Sequence, residues 1–441
     1  MTRFLTLFAN ERGELFEHPG LGMLGGTLDS WVLPEPGEMI PLPGGSSLVM
    51  VPEHYPVGWD WQHDRAVCLE SDPFEGKGRV YAVAALLPQG FTRTYLPVGV
   101  VPPGGGLLPL LGYAAVGLRG EQVYVAAIQT DRHHKWHPRY YNTEGLEERI
   151  YRRLQASPGN RILKHLSHCA RHYSCFTAQN IFYERWEGGI PSMPACNAGC
   201  IACISEDHAG VAPPQNRLDF VPETEEIVEV GLHHLTRARE AIISFGQGCE
   251  GEPSLNYLRL AEAIRVIREA TGEGTINLNT NAGFSEGIRH IVDAGLNAMR
   301  VTLFSCDADN YNLYHQPKNY GLRDVENSIR YAREHGVYVS LNLLTFPGFT
   351  DREEEIKKLR DFIIRNDINM VQLRNLNVDP RQLQSGLPYG GKARGIVGLL
   401  KALQQIKGLR VGSYSYPVPG REGNSCFDGG LKVPEPVQHN G

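Results

Sequence analysis

Ala298-Met299-Arg300-Val301-Thr302-Leu303-Phe304, a helical pattern over 322–335, and then Val337-Tyr338-Val339-Ser340-Leu341-Asn342-Leu343-Leu344 read as strand, helix, strand. The short aliphatic and β-branched runs suit strands covered on both faces, and the segment between them can hold a crossover helix. The same alternation extends in both directions. Upstream are Ala241–Phe245 with a helix over 257–271, and Thr275–Asn279 with a helix over 285–295. Downstream are a helix over 351–365, the run Met370–Arg374, a helix over 393–406 and the run Leu409–Ser413. Strand–helix units at this spacing imply βαβ crossovers and a parallel sheet. The fold class is α/β, a partial (β/α)6-type barrel over 186–415, with chemistry expected at the C-terminal ends of its strands. An open doubly wound sheet has the same periodicity.

Ahead of the barrel the chain has a different character. Residues 1–140 are rich in Gly, Pro and aromatics, with half-buried strand patterns such as Arg79–Leu86 and Gln122–Ile128. This predicts a smaller β-rich domain, a candidate cover for substrate or partner. Residues 141–185 read as a helical linker, in which Leu146, Ile150 and Leu154 form one apolar face. Residues 416–441 form a Pro/Gly-rich tail. The whole chain of 441 residues has room for two or three domains of roughly 150 residues each. Hydrophobic residues at 41% and charged residues at 21% exclude bulk disorder. A net charge of −6 lacks the broad positive field that nucleic-acid binding needs. No secretory leader pattern is visible at the N-terminus, and the uncharged stretch between Arg93 and Arg119 carries too many prolines and glycines for a spanning helix. No membrane association is expected. Nine cysteines, an odd number, point to a reducing, cytoplasmic compartment rather than a disulfide framework.

Cysteine spacing narrows the chemistry. Cys196-Asn197-Ala198-Gly199-Cys200-Ile201-Ala202-Cys203 stands at the head of the regular region. Three thiolates spaced four and three apart on a short loop can hold three corners of one iron–sulfur cube, and Gly199 eases the tight turn. One iron then stays open to bind something else. A zinc site completed by a fourth ligand from elsewhere fits the same spacing.

The order of further elements resembles the radical S-adenosylmethionine (radical SAM) superfamily. After the Ala241–Phe245 run comes Gly246-Gln247-Gly248-Cys249-Glu250-Gly251-Glu252-Pro253, similar to that family's GGEP element with Glu250 in place of the first glycine. Asn279-Thr280-Asn281-Ala282-Gly283 resembles its turn near the ribose. Asn342 to Asp351, with Pro347-Gly348, resembles the turn after its fifth strand, and Tyr311–His315 is also similar to a superfamily stretch. The resemblance covers about residues 190–380. It implies a [4Fe–4S] cluster on Cys196, Cys200 and Cys203, and S-adenosylmethionine held by Gly251, Glu252, Pro253, Thr280, Asn281 and Asn342. It further implies reductive cleavage of SAM to a 5′-deoxyadenosyl radical that takes hydrogen from a small molecule, cofactor, peptide or protein. Such an oxygen-sensitive oxidoreductase or transferase needs a low-potential donor, ferredoxin or flavodoxin. The rival class is a non-catalytic iron–sulfur or zinc protein for binding or electron transfer.

Six cysteines lie outside the triplet. Cys249 and Cys306 follow predicted strands, so each is a candidate hydrogen-atom donor or ligand of an auxiliary iron–sulfur cluster, against the plainer reading of small buried hydrophobes. Only Cys426 lies beyond Cys306, so the cysteine-rich C-terminal extension of peptide maturases is missing. His165, His168, Cys169, His172 and Cys175 fall on one face if a single helix runs through them. Adjacent pairs there suit a metal, or Cys169 and Cys175 an auxiliary cluster. His133-His134-Lys135-Trp136-His137 reads as an interdomain or substrate-contact loop.

Overall fold

The structure is a computed structural model that describes residues 3–108, 110–132, 134–207, 212–384, 386–388 and 390–421. Its centre is a seven-stranded parallel sheet whose strands lie in chain order: Arg185–Gly189, Arg239–Phe245, Thr275–Thr280, Ala298–Leu303, Tyr338–Thr345, Met370–Asn375 and Arg410–Gly412. Six of these are the runs expected from the sequence. The first is an addition. Arg185-Trp186-Glu187-Gly188-Gly189 has no apolar run and contains a bulge between Arg185 and Glu187. Its glycines answer to crowding: a Cβ on Gly188 would lie 2.3 Å from Ile181 Cδ1, and one on Gly189 would lie 2.9 Å from Gln247 Cγ.

Local sequence explains the helices that cover this sheet. Glu353–Arg365 opens with three glutamates and ends with Arg365, both favourable to the helix dipole, and buries Ile356, Leu359, Phe362 and Ile363 along one side. Helices Leu146–Ala156, Arg161–His172 and Phe176–Tyr183 precede the sheet. Leu146, Ile150, Ile162 and Leu166 share one apolar core with Ile243, Ile276 and Val301 of the strands. The segment 141–185 therefore packs as part of the barrel's covering layer. Among the described residues no helix is long and apolar enough to cross a membrane.

The N-terminal region is a mainly antiparallel assembly built around Leu5–Asn10, Leu15–Met23, Tyr55–Asp60, Val80–Leu86, Ala114–Arg119 and Gln122–Gln129. The expected half-buried pattern is corrected in Val80–Leu86, which is buried on both faces over Ala82–Ala85. Val83 and Ala85 face the region's own core. Ala82 and Ala84 face a second cluster with Phe304, Phe346, Phe349 and Leu376, at the C-terminal ends of the parallel strands. The β-rich region thus closes over the end of the sheet where chemistry was expected. Arg93, 1% exposed, fastens it there by donating to the carbonyls of Leu111 at 2.9 Å, Tyr113 at 3.2 Å and Leu376. Burial pushes this guanidinium down to about 9, and the carbonyl cage compensates part of its lost hydration.

Candidate functional site

The cysteine loop docks on the end of helix Ala308–His315. Gly199 N–H donates to His315 O at 3.1 Å, Ile201 N–H to Tyr314 O at 3.0 Å, and Lys318 N–H to Asn197 O at 2.8 Å. Cys196, Cys200 and Cys203 are half-buried electrostatic neighbours. Burial pushes the Cys196 thiol up to about 11, and burial plus the other two cysteines raises Cys200 further. Thiols held protonated by burial at Cys196 and Cys200 suit an electropositive metal centre, which takes them as thiolates.

His315, the last residue of the Tyr311–His315 stretch, carries a specific contact. Its Nε2 accepts from the Phe304 backbone N–H at 3.2 Å, so Nδ1 bears the proton of the neutral ring and faces Cys200 Sγ at 3.4 Å. Burial pushes His315 down to about 3, which keeps the ring neutral. An N–H aimed at a ligand sulfur stabilises the reduced, more negative state of a cluster. With a cluster held on Cys200, His315→Phe is expected to lower its midpoint potential, read by EPR-monitored redox titration. It also leaves the Phe304 N–H unpaired, at a cost of about 1–3 kcal/mol in stability. Arg217, likewise absent from the sequence expectations, reaches Cys203 Sγ at 3.7 Å and Ser205 Oγ at 3.1 Å.

Beside this loop runs the turn after strand Arg239–Phe245. Gly251 N–H donates to Met193 O at 2.6 Å and Glu252 N–H to Ala195 O at 2.8 Å, tying the turn to the residues just before Cys196. Glu252 accepts from Thr280 Oγ1 at 2.6 Å, Ser254 N–H at 3.0 Å and Asn281 N–H at 2.8 Å. Asn281 Nδ2 then donates to Asn197 Oδ1 at 2.7 Å, inside the cysteine loop. Thus Cys196, Gly251, Glu252, Pro253, Thr280 and Asn281 come together through direct bonds or adjacent backbone. Asn342 lies further along the sheet and donates to Thr302 Oγ1 at 3.2 Å.

Glu250, which departs from the resembling element, has a structural task. Its Oε2 accepts from Ser192 N–H at 2.6 Å, Ser192 Oγ at 2.9 Å and Met193 N–H at 3.2 Å, while Oε1 accepts from Gly246 and Gln247 N–H. One side chain thereby clamps the strand-end turn to the segment leading into the cysteines. Burial pushes it up to about 7 against the pull of those five donors.

The candidate ligands fit a cluster and an amino-acid-like cofactor. Asn279 Nδ2 and Ser254 Oγ are buried without a hydrogen-bond partner next to the Glu252 turn. At Gly251 a Cβ would lie 2.0 Å from Ala195 O, so only glycine lets the turn approach the cysteine loop so closely. Polar groups also line the sheet: Glu187 accepts from Ser244 Oγ at 2.7 Å and stands 3.7 Å from Arg300, which donates to Gln372 at 3.2 Å.

Other expectations resolve differently. Cys306 has Glu355, Arg365 and Glu326 of the outer helices as its charged neighbours. The single face through His165 and Cys175 is corrected: the helix ends at His172 and Cys175 begins the next one. Of the histidine-rich loop, His134–Trp136 packs at the domain junction, where Lys135 pairs with Glu240 and Trp136 stacks on Tyr414. His133, Cys426 and the tail from 422 onward lie outside the described residues.

The model of the Radical SAM superfamily matches residues 190–362. Solved structures similar to the chain include Streptococcus suis SuiB bound to S-adenosylmethionine, at 16% identity and TM-score 0.32, covering 51% of this chain and 44% of that one. A radical SAM methyltransferase from Sphaerobacter thermophilus is 17% identical, with TM-score 0.39, covering 52% of this chain and 66% of that one. Methylornithine synthase is 17% identical, with TM-score 0.33, covering 66% of this chain and 91% of that one. The chain thus spans less than half the length of the SAM-bound SuiB chain it matches. No curated protein matches it. The cysteine loop, the Glu252 turn and the four strands from Arg239–Phe245 to Tyr338–Thr345 lie within the matched segment, so residues 190–362 are a Radical SAM domain.

Proposed function

We propose that this protein is a radical SAM enzyme that binds a [4Fe–4S] cluster on Cys196, Cys200 and Cys203 and SAM on the adjoining Glu252 turn. The observation that carries the reading is the hydrogen-bonded path from Glu252 through Asn281 to Asn197, which joins the two binding elements into one site. Bound there, the reduced cluster and SAM supply a 5′-deoxyadenosyl radical for hydrogen abstraction. The chain's own residues bind and orient. Glu252 presents a buried carboxylate to a cationic amine, and Gly251 and Pro253 shape the backbone around it. Thr280 and Asn281 hold that carboxylate in place. Asn342, further along the sheet, would contact the cofactor from the strand Tyr338–Thr345.

Shielding comes from the β-rich region, whose apolar cluster reaches Cys200 and Ile201 and keeps water from the strand ends. Between that region and the segment after the sixth strand lies a cavity of about 410 Å³ lined by His54, Leu96, Leu111, Asp379 and Arg381. We assign substrate entry to this side. A low-potential ferredoxin or flavodoxin is the proposed electron donor. Retention of the fully bonded Glu252 turn favours this reading over a cluster protein without SAM chemistry.

The test is anaerobic reconstitution with iron and sulfide, reduction with SAM present, and mass spectrometry for 5′-deoxyadenosine. Wild type is expected to form it and Cys200→Ala to form none. A reducible cluster in the wild type whose EPR spectrum is unchanged by SAM, with no product, would sink the proposal.

A further inference from the structure

A second set of soft ligands lies on the outer side of the Glu252 turn. His165 and Cys169 stand one helical turn apart on Arg161–His172, and Cys249 comes from the turn after strand Arg239–Phe245. One ligand atom from each lies within 4.8 Å of the others. Cys169 is 0% exposed and Cys249 2%. His165 Nε2 is buried without a hydrogen-bond partner, although imidazole nitrogens in such positions ordinarily find one. Gln215 bonds Cys169 from the neighbouring loop. Cys175 is close by, but its thiol is engaged with Thr177 Oγ1 at 3.4 Å.

We propose that His165, Cys169 and Cys249 form a binding site for a single zinc ion that ties the helix ahead of the domain to the turn carrying Glu250, Gly251 and Glu252. The spacing decides between a lone ion and an auxiliary cluster. Zn–S bonds of about 2.3 Å and Zn–N bonds of about 2.0 Å in a tetrahedron place ligand atoms roughly 3.5–3.8 Å apart, inside the 4.8 Å within which these three lie. A cubane cluster seats each thiolate on a separate iron and spreads its ligands wider. Two thiolates and an imidazole suit zinc, with Gln215 oxygen or a water completing the shell. On binding, two thiol protons pass to solvent and the neutral imidazole donates a lone pair, so no oxidant or reductant is needed. The ligands come from segments 80 residues apart, and the ion would fasten the SAM-facing turn from behind without touching the reacting groups. This inference does not rest on the radical chemistry proposed above.

The experiment is titration of the full chain with cobalt(II), in a Cys196→Ala/Cys200→Ala/Cys203→Ala background so that the cluster loop cannot compete. The expected result is one ion per chain, with the intense visible bands of tetrahedral cobalt and thiolate charge transfer. Cys169→Ser in that background should abolish those bands, and His165→Ala should weaken and shift them. Circular-dichroism melting identifies variants that remain folded. In the reconstituted wild type, elemental analysis should give about one zinc beside about four irons per chain. Tetrahedral bands that persist unchanged in a folded Cys169→Ser variant would overturn the site. So would a Cys169–Cys249 disulfide in peptide maps of protein alkylated at lysis.

Discussion

Glu252→Gln is expected to make no more than about one hundredth of the wild-type 5′-deoxyadenosine, a loss of roughly 3 kcal/mol in transition-state stabilisation, while still assembling its cluster. The carboxylate is 3% exposed, and every hydrogen bond it makes in the structure is one it accepts. An amide keeps one oxygen but turns an NH2 group towards either the Asn281 N–H or the Thr280–Ser254 pair. Donor then meets donor in a buried turn, and the negative charge proposed to receive the SAM amine is gone. Because Asn281 also bonds Asn197, the disturbance reaches the cysteine loop without removing a ligand. Product by mass spectrometry, iron content and SAM affinity by equilibrium dialysis separate the possibilities. Full iron content with weakened SAM binding is the expected pattern. Wild-type SAM affinity in this variant would remove Glu252 from the cofactor site.

Gly251→Ala should do more damage, by a different route. The backbone at Gly251 is not in the left-handed region, so conformational freedom is not the issue. Space is. The added methyl would meet Ala195 O at 2.0 Å, Ala195 C at 2.4 Å and Pro194 O at 2.9 Å, all backbone atoms that cannot rotate away. Relief requires moving the 193–196 segment and breaking the hydrogen bonds from Gly251 to Met193 and from Glu252 to Ala195. The expected cost is about 3 kcal/mol or more in urea unfolding, together with depleted iron because Cys196 is the next residue. Gly321→Ala, where a Cβ would meet nothing within 4 Å, serves as comparison and should stay within about 0.5 kcal/mol of wild type. Similar behaviour of the two variants would show that the turn yields more easily than its packing implies.

The positions of these two residues were readable in the sequence, whereas the reasons they matter were not. Gly251 and Glu252 stood out by their place after an apolar run and by resemblance. That a methyl at 251 would strike Ala195 depends on two backbones, more than 50 residues apart, lying in contact. Glu250 read as a departure from pattern, and it is the fold that turns it into the acceptor of five hydrogen bonds. His315 belongs to a recognisable stretch, but its proton position follows from the Phe304 N–H, whose direction the parallel sheet sets.

The sequence by itself determined the parallel strand–helix series and the cysteine loop, because both are local. Hydrophobic period and ligand spacing are written within a few residues and survive without knowledge of what packs against them. It did not show the first strand, because Arg185–Gly189 carries no apolar run and pairs through backbone bonds that glycine permits beside Ile181 and Gln247. Tertiary structure decided the rest: the β-rich region covering the strand ends, the Glu252–Asn281–Asn197 path, and Cys249 meeting Cys169 and His165. Each is a contact between distant segments, and its geometry exists only once chain closure has placed their backbones within hydrogen-bond or ligand distance.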